Sequence, residues 1–286
     1  MIAARRTFLG ALLTAAASSA AGLNEVDVGG GTALLLNVHD RRLRWVKGAV
    51  QARGWVAPPG STMKPLSLLA LMQGGRLRIT DEYVCPQRLI LNGVHMDCSH
   101  PRTPLPMNAA RAIAYSCNCA TAHFAERFRP GELTRFLREM GLESITGLLA
   151  GSEACGYVEP ALEGQQLQLQ ALGERGIRVT ALELAMAYRR MAMLAGDEKF
   201  APVLEGLEGA VQFGTGQAAQ VHGQSIAGKT GTVQMAPGQH IAWFAGFAPS
   251  RAPDVVVTVL VPGRSGAGSA APLAGRILQA YFAGAV

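Results

Sequence analysis

The chain has 286 residues, 49% of them hydrophobic and 16% charged, which is enough apolar material for one good-sized domain or a domain with a large insertion. That composition excludes disordered and fibrous classes. The net charge is +6, but the arginines are scattered and aromatics make up only 6%, so no nucleic-acid-binding surface is expected.

The N-terminus has a basic start, Arg5 and Arg6, followed by Phe8, Leu9 and a small apolar stretch to about Ala21. This is the layout of an export signal, residues 1–21, and the paired arginines resemble a twin-arginine signal. The stretch is too short and too rich in Ala and Ser for a spanning helix. Removal near Ala21 would leave a mature chain, 22–286, with no membrane span, placed in the periplasm or at the exterior of the cell envelope.

Thr32 to Val38 reads as a strand, Asp40 and Arg41 as a turn, and Leu43, Trp45 and Val46 as a second strand. Pro58, Pro59 and Gly60 stop the sheet. A helix is predicted from Ser61, with Pro65 in its first turn, where a missing N–H costs nothing. Leu66, Leu68, Leu69, Leu71 and Met72 make it apolar nearly all round, so it is expected to be buried, and Gly74 and Gly75 end it.

Five cysteines occur: Cys85, Cys98, Cys117, Cys119 and Cys155. Cys85 and Cys98 flank a hairpin-like stretch containing Asn92-Gly93, a strong turn signal. Outside the cytoplasm a Cys85–Cys98 disulfide would staple it. The rival reading is a metal site made of Cys85, His95, Cys98 and His100; the absence of paired C-x-x-C spacing favours the disulfide, with no metal and no cofactor expected.

From Asn108 to about Ala195 the pattern is mostly helical. Asn108 caps one helix, Cys119 to Phe128 and Glu132 to Met140 follow, and Thr180 with Glu183 forms a capping box for a helix through Leu194. Glu183 is therefore read as a cap, not a catalytic base. Ser225–Gln234, Ile241–Ala248 and Asp254–Pro262 are strand-length segments with short connections, and Val255–Val261 is almost unbroken apolar, as a central strand covered on both faces should be. Ala271–Phe282 is a closing helix. The predicted fold is α/β of the α+β kind: an antiparallel sheet flanked by helices, with an α/β part at 32–60 and 200–286 around a helical insertion at 61–199.

Three short motifs occur in order. Ser61 and Lys64 lie three apart on a predicted helix and share a face. A serine hydroxyl needs a base within hydrogen-bond reach, and a buried lysine loses proton affinity and can be that base. The helix start adds free N–H groups that stabilise developing negative charge. Ser116 and Asn118 lie on a turn between helices; Ser116 can relay a proton toward a leaving nitrogen, and Asn118 can bond both Lys64 and a substrate amide. Lys229, Thr230, Gly231 and Thr232 lie on a predicted strand. The lysine and both hydroxyls suit a substrate carboxylate, Gly231 permits close backbone approach, and an extended peptide can pair along the strand. Each motif alone is weak; all three in this order on helix start, turn and strand are a strong signal. Only four lysines exist, Lys47, Lys64, Lys199 and Lys229, and two of them fall in the motifs.

The motifs in their flanks, Pro59 to Pro65, Ala114 to Asn118 and Ala227 to Gln234, together with Ala242–Pro249 and Ile177–Tyr188, resemble the transpeptidase domain of penicillin-binding proteins, especially the class B kind. The resemblance covers roughly residues 32–286. It implies a five-stranded antiparallel sheet with an all-helical subdomain. It also implies that Ser61 forms an acyl-enzyme with D-Ala-D-Ala stem peptides of peptidoglycan, that the N–H groups of Ser61 and Thr232 form the oxyanion hole, and that β-lactams act as substrate mimics. Class B proteins normally carry an anchor and a pedestal domain before this one, and little chain precedes the first strand here. Two alternatives share the fold: a serine β-lactamase, for which the sequence offers no obvious glutamate motif to activate a deacylating water, and a non-hydrolytic β-lactam sensor or scaffold.

Overall fold

The computed structural model describes residues 22–284 apart from Asn24 and Ala161. The expected export signal, 1–21, lies outside the described residues. No helix among the described residues is long and apolar enough to cross a membrane.

Two strands open the fold, β1 (Thr32–Asn37) and β2 (Leu43–Lys47). Short pairs follow in the helical region: β3 (Ile90–Leu91) with β4 (Val94–His95), and β5 (Tyr157–Val158) with β6 (Ile177–Arg178). The chain then returns to the sheet with β7 (Ala227–Ala236), β8 (Gln239–Ala248) and β9 (Val255–Pro262). The five long strands form one antiparallel sheet in the order β2-β1-β9-β8-β7, which is the predicted two plus three.

The sheet is covered on both faces, and the alternation of side chains shows how. Leu34 and Leu36 of β1, Val256 and Leu260 of β9, and Trp243, Ala245 and Phe247 of β8 join the core under the helical region. Their neighbours Ala33 and Leu35, Val255, Val257 and Val259, and Ala242 and Phe244 join a second core under the closing helix Ala271–Phe282. Successive side chains on a strand point to opposite faces, so a strand apolar at every position is apolar because both faces are dry. Each fully buried Leu, Val or Phe contributes about 1.5–3 kcal/mol of transfer free energy.

The helical region begins one turn later than the sequence pattern suggests. Gly60–Met63 is a 3-10 turn, and the α-helix runs over Lys64–Gln73 with Pro65 in its first turn. Asn108 caps Ala109–Ala114 by accepting from the Arg111 N–H, and the capping box of Thr180 and Glu183 opens Ala181–Ala192. The Glu183 carboxylate is fully buried and accepts from the N–H groups of Thr180, Ser144 and Gly156. A helix not singled out in the sequence, Ala201–Gln212, packs on both Ala109–Ala114 and β7. Its Gly206 backs onto the main chain there, since a Cβ would stand 2.8 Å from the Ala110 carbonyl oxygen.

Candidate active site

The turn carrying Ser61 is pinned from several sides. Trp243 on β8 is fully buried and donates its indole N–H to the Pro58 carbonyl at 2.9 Å. The Gly60 N–H donates to the Gly173 carbonyl at 2.9 Å. Thr62 Oγ1 donates to the Pro59 carbonyl at 2.7 Å, and the buried Tyr188 hydroxyl donates to the Thr62 carbonyl at 2.9 Å. Gly60 holds φ +54°, and a Cβ there would meet Val233 Cγ2 at 2.9 Å. Ser61 itself is only partly buried, so its hydroxyl sits at the surface of an otherwise rigid turn.

Lys64, three residues on and the first residue of the α-helix, is fully buried. Its Nζ donates to the Ser116 carbonyl at 2.7 Å, to Ser116 Oγ at 3.1 Å and to Asn118 Oδ1 at 2.5 Å. Ser116 adopts φ +57°, the left-handed conformation that turns both its carbonyl and its hydroxyl toward the lysine. Asn118 opens the helix Asn118–Ala125 and donates from Nδ2 to the Met96 carbonyl at 2.9 Å, tying the turn to the strand pair β3–β4. Burial lowers the Lys64 pKa to about 8. The first two motifs thus meet as the spacing predicts.

The third motif lies on β7, an edge strand. A Cβ on Gly231 would stand 2.7 Å from the Pro59 carbonyl oxygen and 3.2 Å from Thr62 Cγ2, so only glycine lets the strand press against the Ser61 turn. Lys229 is fully buried; its Nζ donates to Thr215 Oγ1 at 3.4 Å and to the Thr230 carbonyl at 3.0 Å. Burial, and then the charge of Lys64, pushes its pKa well down. Thr215 and Thr230 share a hydroxyl–hydroxyl bond of 2.6 Å. Lys229 therefore lies behind the strand surface rather than open to solvent, in contact with the Thr215 hydroxyl and the Thr230 carbonyl. Thr232 is exposed; its Oγ1 accepts from the Gly266 N–H at 2.9 Å, leaving its own hydrogen free to donate.

Sequence reading missed three participants here. Tyr188 enters the sequence reading only as the end of the Ile177–Tyr188 stretch and Thr215 not at all, because their contacts arise only from packing. Glu174 follows Gly173, the residue that receives the Gly60 N–H, and burial raises its carboxyl pKa to about 7 against the opposing pull of Lys64.

The cysteines differ from expectation. Cys85 and Cys98 are not bonded; their sulfurs stand 3.7 Å apart and both thiols are free. Cys98 Sγ also lies 3.7 Å from Cys117 Sγ and 3.5 Å from Cys119 Sγ. His100 Nε2 is 3.6 Å from Cys85 Sγ. His95, on β4, is exposed and pairs with Ile90 across the hairpin, outside this group. Cys117 and Cys119 were not read as partners, since they lie far along the chain and approach Cys98 only through the fold.

Comparison with known proteins agrees with the architecture. Residues 37–279 match the family model described as penicillin binding protein transpeptidase domain. Stage V sporulation protein D of Bacillus subtilis is 24% identical over 266 residues, covering 77% of this chain and 41% of that protein. Peptidoglycan D,D-transpeptidase MrdA of Acinetobacter baumannii is 24% identical over 278 residues, again covering 77% of this chain and 41% of that one. The chain thus spans less than half the length of these curated relatives. The apo transpeptidase domain of penicillin-binding protein 3 from Burkholderia pseudomallei matches with a TM-score of 0.80 at 20% identity, covering 96% of this chain and 94% of that one, a likeness of fold.

Proposed function

The chain belongs to the penicillin-binding protein transpeptidase family, and on that premise we propose that it is a serine D,D-transpeptidase or D,D-carboxypeptidase acting on D-Ala-D-Ala stem peptides of peptidoglycan. The observation that carries the reading is the convergence on Lys64: one buried amine bonded to Ser116 and Asn118, with Ser61 in the turn just before its helix and β7 pressed against that turn.

In this reading neutral Lys64 takes the Ser61 proton as Oγ attacks the penultimate D-alanine carbonyl. The N–H groups of Ser61 and Thr232 receive the oxyanion. Ser116 passes the proton to the leaving nitrogen, and the terminal D-alanine departs as an amine. Thr230 and Thr232 hydroxyls, backed by Lys229, hold the terminal carboxylate, and Gly231 lets the substrate backbone pair along β7. An amine of a neighbouring stem or water then opens the ester. Glu174, about half ionised at pH 7, is close enough to Lys64 for each to shift the other's pKa, and in this reading it assists whichever acceptor enters. β-Lactams acylate Ser61 as substrate mimics. Residues 22–286 act as one catalytic unit, exported to the periplasm or the cell-envelope exterior by the segment at 1–21.

The purified chain is incubated with a labelled penicillin and, separately, with a D-Ala-D-Ala pentapeptide. A long-lived adduct, absent in Ser61→Ala, with D-alanine released from the pentapeptide, is expected. Turnover of the penicillin within seconds would replace this reading with β-lactam hydrolysis, and an adduct that survives in Ser61→Ala would overturn the nucleophile.

A further inference from the structure

We propose that Cys85, Cys98, His100 and Cys117 form a structural zinc site that rivets the segment 85–100 to the active-site turn.

The four ligand atoms all lie within 4.8 Å of one another. Their closest separations are 3.7 Å for Cys85–Cys98, 3.7 Å for Cys98–Cys117 and 3.6 Å for Cys85 Sγ to His100 Nε2. A tetrahedron with Zn–S bonds of about 2.3 Å has S···S edges of about 3.8 Å, and an S···N edge is slightly shorter. A disulfide needs about 2.05 Å between its sulfurs. The spacing therefore fits a shared ion and not a bonded pair. Three thiolates and one imidazole are a donor set that selects zinc in tetrahedral coordination.

The surroundings are prepared as well. His100 is buried, and its Nδ1 stands 2.8 Å from the Pro101 carbonyl. That bond keeps the proton on Nδ1 and leaves the Nε2 lone pair aimed at the sulfurs. Backbone N–H groups point at each sulfur: Gln87 at Cys85, Cys119 at Cys98 and Ala120 at Cys117, at 3.3, 3.5 and 3.4 Å. Such bonds stabilise thiolates, and zinc entering the site displaces the three thiol protons to solvent. Cys119 approaches Cys98 too, but its Sγ points to the Arg88 carbonyl at 3.6 Å, so it stands beside the set.

The site matters through Cys117. It lies between Ser116 and Asn118, the two residues that hold Lys64. Asn118 in turn binds the Met96 carbonyl, two residues before Cys98. A metal at the cysteines would fix that turn from behind. This last link rests on the proposed function, whereas metal binding itself does not.

The full chain, purified without chelator, is analysed for metals and by native mass spectrometry. One zinc per chain is expected, with Cys85, Cys98 and Cys117 unreactive to a thiol reagent until a strong chelator is added. Cobalt replacement should give thiolate-to-metal charge-transfer absorbance that disappears in Cys98→Ser. Cys155→Ser and Cys119→Ser should each retain full zinc. Penicillin acylation should slow at least tenfold on zinc removal and recover on zinc return. A zinc-free chain that neither binds added zinc nor shields its thiols, a Cys85–Cys98 disulfide in the native chain, or iron in place of zinc overturns the site. Zinc bound by a chain that never reacts with penicillin would sink the proposed function and leave the site standing. A chain that binds zinc and acylates equally fast without it would refute the link to the turn.

Discussion

The depressed basicity of Lys64 makes a quantitative demand on the pH dependence of acylation. Burial brings the Lys64 pKa to about 8, and a general base acts only in its neutral form. With that value about a tenth of the lysine is neutral at pH 7, half at pH 8 and nine-tenths at pH 9. The second-order rate constant for penicillin acylation should therefore rise about tenfold from pH 7 to pH 9, with a midpoint near 8, provided the fold is intact across that range. The assay is stopped-time labelling of Ser61 under excess chain, with folding followed by circular dichroism. Glu174 supplies a control, because its negative charge raises the Lys64 pKa. Glu174→Gln should move the midpoint below pH 8, whereas a merely structural contribution would lower the plateau without moving the midpoint. A flat profile, or one falling between pH 7 and 9, would refute Lys64 as the base.

Gly231→Ala should cost about 1–3 kcal/mol of stability, since its Cβ would sit 2.7 Å from the Pro59 carbonyl oxygen. By shifting the nucleophile turn it should also slow acylation on the order of a hundredfold; unfolding midpoints and adduct formation check both, and an unchanged acylation rate would contradict the close packing of β7. Glu183→Ala should lose about 3 kcal/mol or more, because the N–H groups of Thr180, Ser144 and Gly156 lose a buried anionic acceptor. Denaturant unfolding measures it, and a loss below about 1 kcal/mol would mean that water replaces the carboxylate.

Much of the fold is written in local pattern. The strand β9 was legible because Val255–Val261 leaves no polar face, and the capping box announced Ala181–Ala192 through two residues three apart. The grouping of Lys64 with Ser116 and Asn118, and of the Lys229–Thr232 run with the Ser61 turn, was legible because each motif puts its residues at a spacing that one element can present. What stayed hidden is what only folding brings together. Lys229 reads from its motif as a cation suited to a substrate carboxylate, yet it is fully buried and donates to the Thr230 carbonyl. The hairpin around Asn92-Gly93 was readable from its turn, but the cysteines at its base were paired with each other because Cys117 enters from a distant helix end. Glu174 gave no signal, as a glutamate in a turn is ordinary until burial and a nearby lysine change its acidity.

The two rims of the sheet are treated differently. The outer strand β2 exposes Arg44 and Lys47, charges that discourage another chain from adding to that side. The opposite rim, β7, exposes Thr232 and Gln234 but no charged side chain, because its lysine is turned inward. On the proposed function, a rim that accepts an extended peptide cannot carry the guards that keep stray strands away. β7 thus has no charged side chain guarding its main-chain edge, and self-association at high concentration should begin there and be suppressed by a peptide that pairs with it.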